Sequence, residues 1–212
     1  MIKINNLTKK FGSHVSLQNV TCSFGKNESV ALMGANGAGK TTLIRSILGY
    51  YHPDEGEVLI NGFNPIKQRV EVLKDISFVP QLPPPIKLSI DELMSYVATS
   101  SNVDRELISH YANEMKLDIN ANMHKSFFKL SGGMKQKLLI AISLAKKSNI
   151  IIFDEPTANL DPDARDDFYR LLEQNAKDKV LLFVTHRFEE VKDLVNRQIY
   201  MDLGKVVLDE KL

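Results

Sequence analysis

Hydrophobic residues recur along this chain with two different periods, and the changes between them divide it into three stretches. In the first stretch, up to about residue 62, short apolar runs are separated by turn signals at Asn27, at residues 53–56 and at residues 61–62. Residues 1–7 alternate apolar and polar positions, as a half-buried strand does. This stretch therefore predicts antiparallel strands.

From residue 89 to about 147 the pattern changes to a helical one. Ser89 followed by Glu92 forms a capping-box sequence, which marks the start of a helix. Residues 137–145 form a strongly apolar helical run at the other end of the stretch. We expect a helical subdomain, roughly residues 89–147, inserted in the rest of the domain.

From residue 149 onward, strand patterns and helix patterns alternate. Residues 150–153 and 180–184 are typical of buried strands, and residues 162–174 and 188–195 of helices. A terminal hairpin turns at residues 202–205. Such alternation predicts parallel strands with crossover helices, so the fold class is α/β.

Composition excludes some classes of partner and compartment. The 212 residues suffice for one α/β domain, and 27 basic against 26 acidic side chains leave a net charge of +1, without a field that would attract nucleic acid. The single cysteine, Cys22, lies in a strand-like run and is expected to be a small buried hydrophobe. Without a signal-peptide pattern or a long apolar run, we expect a cytoplasmic protein that meets a membrane only through a partner.

The most informative motif is the glycine-rich stretch 34–41, which fits G-x-x-x-x-G-K-[ST] at every fixed position. A buried strand pattern precedes it at residues 29–33, and a helix pattern follows it at residues 42–48. In this context the glycines let backbone N–H groups surround a phosphate, Lys40 adds positive charge, and Thr41 offers a hydroxyl to Mg²⁺. The alternative, a glycine-rich turn with an incidental lysine, does not account for these flanks.

A second motif is the apolar run 149–153, which ends in the consecutive carboxylates Asp154 and Glu155. In an open parallel sheet, ligands bind beyond the carboxyl ends of the strands. Asp154 is therefore expected to bind Mg²⁺, and Glu155 to accept a proton from an attacking water. The alternative for Glu155 is a role in capping or solvating a loop.

A third motif, Leu130-Ser131-Gly132-Gly133-Met134, leads directly into the apolar helix. Small residues at a helix N-terminus leave amides available to an anion, so this segment is expected to be a second phosphate-binding element. With these three motifs in this order, the chain resembles the ATP-binding-cassette (ABC) ATPases over nearly its whole length. The LSGG segment argues against a kinase or GTPase.

The resemblance implies a P-loop fold of the ABC type, with a mixed or parallel sheet core, an N-terminal antiparallel β subdomain and a helical subdomain. It implies hydrolysis of ATP with Mg²⁺. It also implies a head-to-tail pair with a second ABC ATPase subunit, an identical copy being expected. In that pair the LSGG segment of each subunit, called the signature, closes on the other subunit's ATP. A transmembrane permease subunit would be the further partner.

The resemblance assigns roles to more residues. Gln81 matches the glutamine that senses Mg²⁺ and γ-phosphate, and His186 matches the switch histidine. Residues 158–161 match the D-loop, although Asn159 stands where the family usually has a small residue. Asp161, the last residue of the D-loop, is also placed to cap a helix that begins with Pro162. Phe11 occupies the position of the aromatic residue that stacks on adenine, the alternative being a core residue of the first strand.

The expected site residues fall into three groups. The catalytic ones are Glu155, His186 and Gln81. Those expected to bind Mg²⁺ are Thr41, Gln81 and Asp154. Those expected to bind nucleotide are Phe11, Gly34, Asn36, Gly37, Ala38, Gly39, Lys40, Thr41, Thr42, Ser131, Gly132, Gly133 and Asp161.

The subfamily is less closely defined. Met134, where importers commonly have glutamine, makes the signature similar to that of ABC-2 type exporter ATPases. The resemblance thus implies an exporter subunit, peripheral on the inner face of the cell membrane. An importer ATPase and a soluble ABC ATPase of the cluster-assembly type stay open as alternatives.

Overall fold

The computed structural model describes residues 1–212 and divides into two compact units. The first unit comprises residues 1–76 and 178–212, and the second comprises residues 77–177. The elements of the first unit are β1 (Ile2–Phe11), β2 (His14–Phe24), β3 (Ser29–Met33), α1 (Lys40–Ile47), β4 (Glu55–Ile60), α2 (Arg69–Lys74), β7 (Val180–Val184), β8 (Arg197–Asp202) and β9 (Lys205–Lys211). Those of the second are β5 (Ile76–Val79), which starts at the boundary, α3 (Ile90–Ser101), α4 (Arg105–Glu114), α5 (Gly132–Ala145), β6 (Ile150–Asp154) and α6 (Pro162–Asn175).

The N-terminal strands of the first unit form an antiparallel sheet in the order β2-β1-β4, as the sequence predicts. Ile2 and Ile4 of β1 are buried, and Ile4 pairs with Cys22 on one side and Val58 on the other. Cys22 is itself buried, and burial raises the pKa of its thiol to about 12. It therefore stays protonated and packs as a small hydrophobe, which confirms the expectation.

The remaining strands of the first unit lie in the order β7-β3-β8-β9. β3 pairs in parallel with β7 and β8, and β8 pairs antiparallel with β9 across the terminal hairpin. Residues 30–32 of β3 and 180–184 of β7 are all buried, as expected for central parallel strands. The predicted mixed sheet is confirmed.

Arg197 at the start of β8 fastens this hairpin. Its guanidinium donates two parallel hydrogen bonds to the Asp209 carboxylate, each 2.7 Å long, and a third to Glu28 Oε2 at 2.9 Å. A fourth bond, 2.8 Å, goes to the carbonyl of Ser23. Such a bidentate pair is geometrically specific, so it aligns β9 on β8 and links both to the start of β3.

In the second unit, β5 and β6 are neighbouring strands, and the unit also contains the four α-helices α3 to α6 and two 3-10 helices, Asn120–Asn122 and Phe127–Lys129. Ser89 caps α3 with the predicted capping box: its hydroxyl accepts from the Glu92 N–H, and the Glu92 carboxylate accepts from the Ser89 N–H. Helix α5 starts at Gly132, earlier than the apolar run alone indicated. None of the helices is both long and apolar enough to cross a membrane.

The helix predicted over residues 188–195 is wrong. The structure has a single 3-10 turn there, Phe188–Glu190, and Val191 leaves the helical region with φ −126° and ψ −1°. Asn196 is bound to the start of β3 and to the turn before it: its backbone N–H donates to Ser29 O at 2.8 Å, and its side-chain amide donates to Asn27 O at 2.8 Å. These bonds hold the chain just before β8 begins at Arg197. The segment between β7 and β8 forms turns and not a helix.

Candidate nucleotide-binding site

The phosphate loop connects β3 to α1 in the first unit. Gly34, Gly37 and Gly39 have φ values of 142°, 84° and 101°, conformations that L side chains rarely adopt. Gly39 is the N-cap of α1 and provides no side chain to satisfy the first amides of the helix. The first amides of α1 are therefore not capped by a side chain, which leaves them available to an anion, as phosphate binding requires.

Lys40 bends back over this loop. Its ammonium donates to the carbonyl oxygens of Gly34, at 2.6 Å, and Ala35, at 3.0 Å. The charge is thereby held on the loop's own backbone, where a phosphate would be attracted to it. The role of Lys40 in binding phosphate stays a prediction.

The terminal hairpin and β2 pack against the phosphate loop. The sequence motifs did not indicate this contact. The N–H of Gly204 donates to Ala38 O at 3.1 Å, and Gly204 O accepts from the Gln18 N–H at 2.8 Å. A Cβ added to Gly39 would lie 2.7 Å from Ser16 O, which is too close for any side chain. The only local signal is the Leu203-Gly204 turn, which does not say what the turn contacts.

The two threonines after Lys40 differ in their surroundings. The Thr42 hydroxyl lies 2.8 Å from the Ser16 hydroxyl, so its side chain connects α1 to β2. Its backbone N–H, in the first turn of the helix, is the part suited to a phosphate. Thr41 is exposed, as is Asn36, while Ala38 is buried. Of the two hydroxyls, that of Thr41 fits a Mg²⁺ ligand.

His186 leaves the sheet at the same edge as the phosphate loop. Leu32 of β3 pairs with Val184 of β7 in a parallel register, so Gly34 and His186 follow their strands at the same level. His186 is exposed, and Arg187 donates to its Nε2 at 3.3 Å. The register thus brings His186 and the phosphate loop to the same edge of the sheet, and its contact with the γ-phosphate stays a prediction.

Phe11 is the last residue of β1, and 43% of its surface is exposed. It is therefore not a core residue, which removes the alternative left open by the sequence. The ring of Tyr51 approaches it edge-on, and the Lys9 ammonium lies 5.4 Å from its ring centre. An exposed aromatic ring held by neighbours is suited to stacking on a base.

Asp154 and Glu155 follow each other at the carboxyl end of β6 in the second unit. β6 is fully buried up to Phe153, and both carboxylates are half-buried. Glu155 has a left-handed backbone with φ 47°, although it precedes Pro156. A non-glycine residue in this conformation costs about 1–3 kcal/mol, which the surrounding structure must offset. Nine other non-glycine residues of the chain also have a positive φ, so the conformation by itself assigns no role to Glu155.

Ser131 is the N-cap of α5, and its hydroxyl accepts from the Met134 N–H at 3.2 Å. The signature segment lies against the D-loop of the same unit: a Cβ on Gly133 would be 3.0 Å from Asn159 O. Asn159 also donates from its side-chain amide to the Gln81 carbonyl at 3.4 Å. The structure thus brings Gln81, the signature and the D-loop together through Asn159, which sequence reasoning noted only as a departure.

Asp161 caps α6, as predicted. Its carboxylate accepts from the Ala164 N–H at 2.9 Å, and Pro162 is the first helical residue. That N–H, with help from the nearby Lys137 ammonium, holds the pKa of Asp161 below its ordinary value. Asp161 therefore stays charged at neutral pH, and any role in binding nucleotide would be added to this capping role.

The loop, the strand order and the helix N-termini define a P-loop nucleotide-binding protein. Residues 17–158 match the ABC transporter family. The phosphate import ATP-binding protein PstB of Thermotoga maritima is 30% identical over 222 residues, covering 98% of this chain and 88% of its own. The Nod factor export ATP-binding protein I of Burkholderia orbicola is 31% identical over 215 residues, covering 98% of this chain and 70% of its own.

Among solved structures, the fold is similar to that of a dimeric ATP-binding cassette in a post-hydrolysis state bound to ADP and Pi. The TM-score is 0.85 at 28% identity, with 100% of this chain and 99% of that chain covered. The chain belongs to the ABC transporter ATP-binding family and is an ATP hydrolase.

Proposed function

We propose that this chain is the ATP-hydrolysing subunit of an ABC membrane transporter of the exporter type, working as a homodimer on a transmembrane permease. The observation that carries the proposal is the phosphate loop, whose glycine backbone and Lys40 form a cradle at the N-terminus of α1. The full set of family motifs supports the coupling to transport. Dimerisation is supported by the dimeric cassette to which the fold is similar.

The proposed division of labour follows the chemistry of each side chain. The loop amides and Lys40 bind the phosphates of ATP. Glu155 accepts a proton from the attacking water, and His186 and Gln81 orient groups around the γ-phosphate. Phe11 stacks on adenine. Ser131, Gly132 and Gly133 present the N-terminal amides of helix α5 to the ATP that the second subunit binds. Asp161, in the D-loop, also contributes to nucleotide binding.

Mg²⁺ fits this donor set. Thr41 and Asp154 provide a hydroxyl and a carboxylate, the oxygen ligands that Mg²⁺ takes together with phosphates and water, and Gln81 offers a carbonyl oxygen. When bound, the ion neutralises charge on the phosphates during transfer.

The proposal is tested by isolating the chain with its native partner from membranes in mild detergent. We expect a copurifying protein with several membrane-spanning helices, whose presence stimulates ATP hydrolysis. A soluble partner, found in the absence of any such protein, would favour the cluster-assembly type instead.

Import is the second candidate for direction, because the related PstB is a phosphate import protein whereas the Burkholderia relative serves export. The signature residue Met134 favours export. Inside-out membrane vesicles test this: an exporter accumulates its compound in the lumen on addition of ATP, whereas an importer releases compound loaded into the lumen.

Replacing Phe11 with alanine is expected to raise the dissociation constant for ATP by roughly 5- to 100-fold, because a base–aromatic stack contributes about 1–3 kcal/mol. Folding should be unaffected, since Phe11 is exposed at a strand end. Isothermal titration with ATP measures the first effect and thermal unfolding the second. An unchanged dissociation constant would remove Phe11 from the site.

A further inference from the structure

Phe11 has a specific neighbour in the first unit, Tyr51. The two ring centres are 5.1 Å apart and the ring planes meet at 76°, which is the edge-to-face arrangement that aromatic pairs prefer. Because Phe11 ends its strand with 43% of its surface exposed, core packing does not fix its ring. The contact with Tyr51 is therefore well placed to select its orientation.

The segment that carries Tyr51 is tied to the end of β1 by hydrogen bonds. The Asp54 carboxylate accepts from the Lys10 N–H at 2.7 Å and from the Lys9 ammonium at 3.0 Å. The Asp54 N–H donates to Thr8 O at 2.9 Å. These bonds hold the pKa of Asp54 below its ordinary value, so the carboxylate is charged at neutral pH and the attachment persists.

Tyr51 is also bound to the helix that starts at the phosphate loop. The guanidinium of Arg45 donates to the Tyr51 hydroxyl at 2.8 Å and lies 5.8 Å from its ring centre. Arg45 belongs to α1, which begins at Lys40. A chain of contacts thus runs from Phe11 through Tyr51 and Arg45 to the helix of the phosphate loop.

We propose that Tyr51 is a positioning residue for the adenine ring of ATP: it fixes the orientation of the Phe11 ring on which the adenine stacks. This inference rests on the proposed stacking role of Phe11. Tyr51 itself acts through Phe11 and need not touch the nucleotide. Its effect is therefore specific to ligands that carry a base.

The test compares binding of ATP and of inorganic tripolyphosphate, both with Mg²⁺, to Tyr51→Leu, Tyr51→Phe and the matched control Tyr50→Leu. Tyr51→Leu should raise the dissociation constant for ATP roughly 2- to 10-fold, the value of an aromatic pair, and leave that for tripolyphosphate unchanged. Tyr51→Phe keeps the ring against Phe11 and loses only the hydroxyl that accepts from Arg45, so its dissociation constant for ATP should rise less than that of Tyr51→Leu. Tyr50 is exposed and stacks with Arg69, so its replacement should change neither constant.

A double-mutant cycle shows whether Tyr51 acts through Phe11. In a Phe11→Ala background, Tyr51→Leu should produce no further loss of ATP affinity. Unchanged ATP binding by Tyr51→Leu, or equal losses for ATP and tripolyphosphate, would overturn the inference. If Phe11→Ala has no effect, the stacking role itself fails, whereas an effect of Phe11→Ala without one of Tyr51→Leu refutes only the positioning role.

Discussion

Replacing Glu155 with glutamine is expected to lower the rate of ATP hydrolysis by at least about 100-fold, the usual contribution of a general base. Glutamine has the same shape but its amide does not accept a proton from water. Because the phosphate loop lies elsewhere in the chain, affinity for ATP should be retained. With ATP bound and not hydrolysed, the variant is expected to accumulate as a dimer.

Steady-state phosphate release measures the rate, equilibrium titration the affinity, and light scattering after size-exclusion chromatography the dimer. Glu173→Gln is the matched control: it is an exposed glutamate on α6 of the same unit and should leave all three quantities unchanged. Hydrolysis by Glu155→Gln at the unaltered rate would refute the assignment of the base.

Replacing Gly34 with alanine is expected to lower the free energy of unfolding by about 3 kcal/mol or more and to weaken ATP binding at least about tenfold. The new Cβ would overlap the carbonyl oxygen of Met201 in β8, and φ at Gly34 is 142°. The backbone must therefore move. Gly34 O accepts from the Lys40 ammonium, so its movement also displaces that charge.

Gly37→Ala is the control for this prediction. Gly37 also has a positive φ, 84°, but a Cβ there meets no atom within 4 Å. Its cost should be limited to backbone strain, about 1–2 kcal/mol. Urea unfolding without nucleotide compares the two. Equal stability losses would mean that the close approach to Met201 has no energetic consequence.

Features set by residues close together in the chain were predictable. Ser89 with Glu92 and Asp161 with Pro162 mark helix starts because a cap bonds amides only two or three residues away. The phosphate loop was predictable for the same reason. The helix over residues 188–195 was wrongly predicted, because the chain after it is bound through Asn196 to Asn27 and Ser29, far away in the chain, and such bonds have no local signal.

The motifs alone established a nucleotide site of the ABC type, because binding a phosphate needs a particular backbone over a few consecutive residues. Only the tertiary structure shows which contacts surround that site. The turn at Gly204 is bonded to Ala38, the parallel register places His186 level with Gly34, and the ring of Tyr51 packs against that of Phe11. Each of these joins segments distant in sequence. Such contacts depend on how strands and loops pack, and no local pattern of residues encodes them.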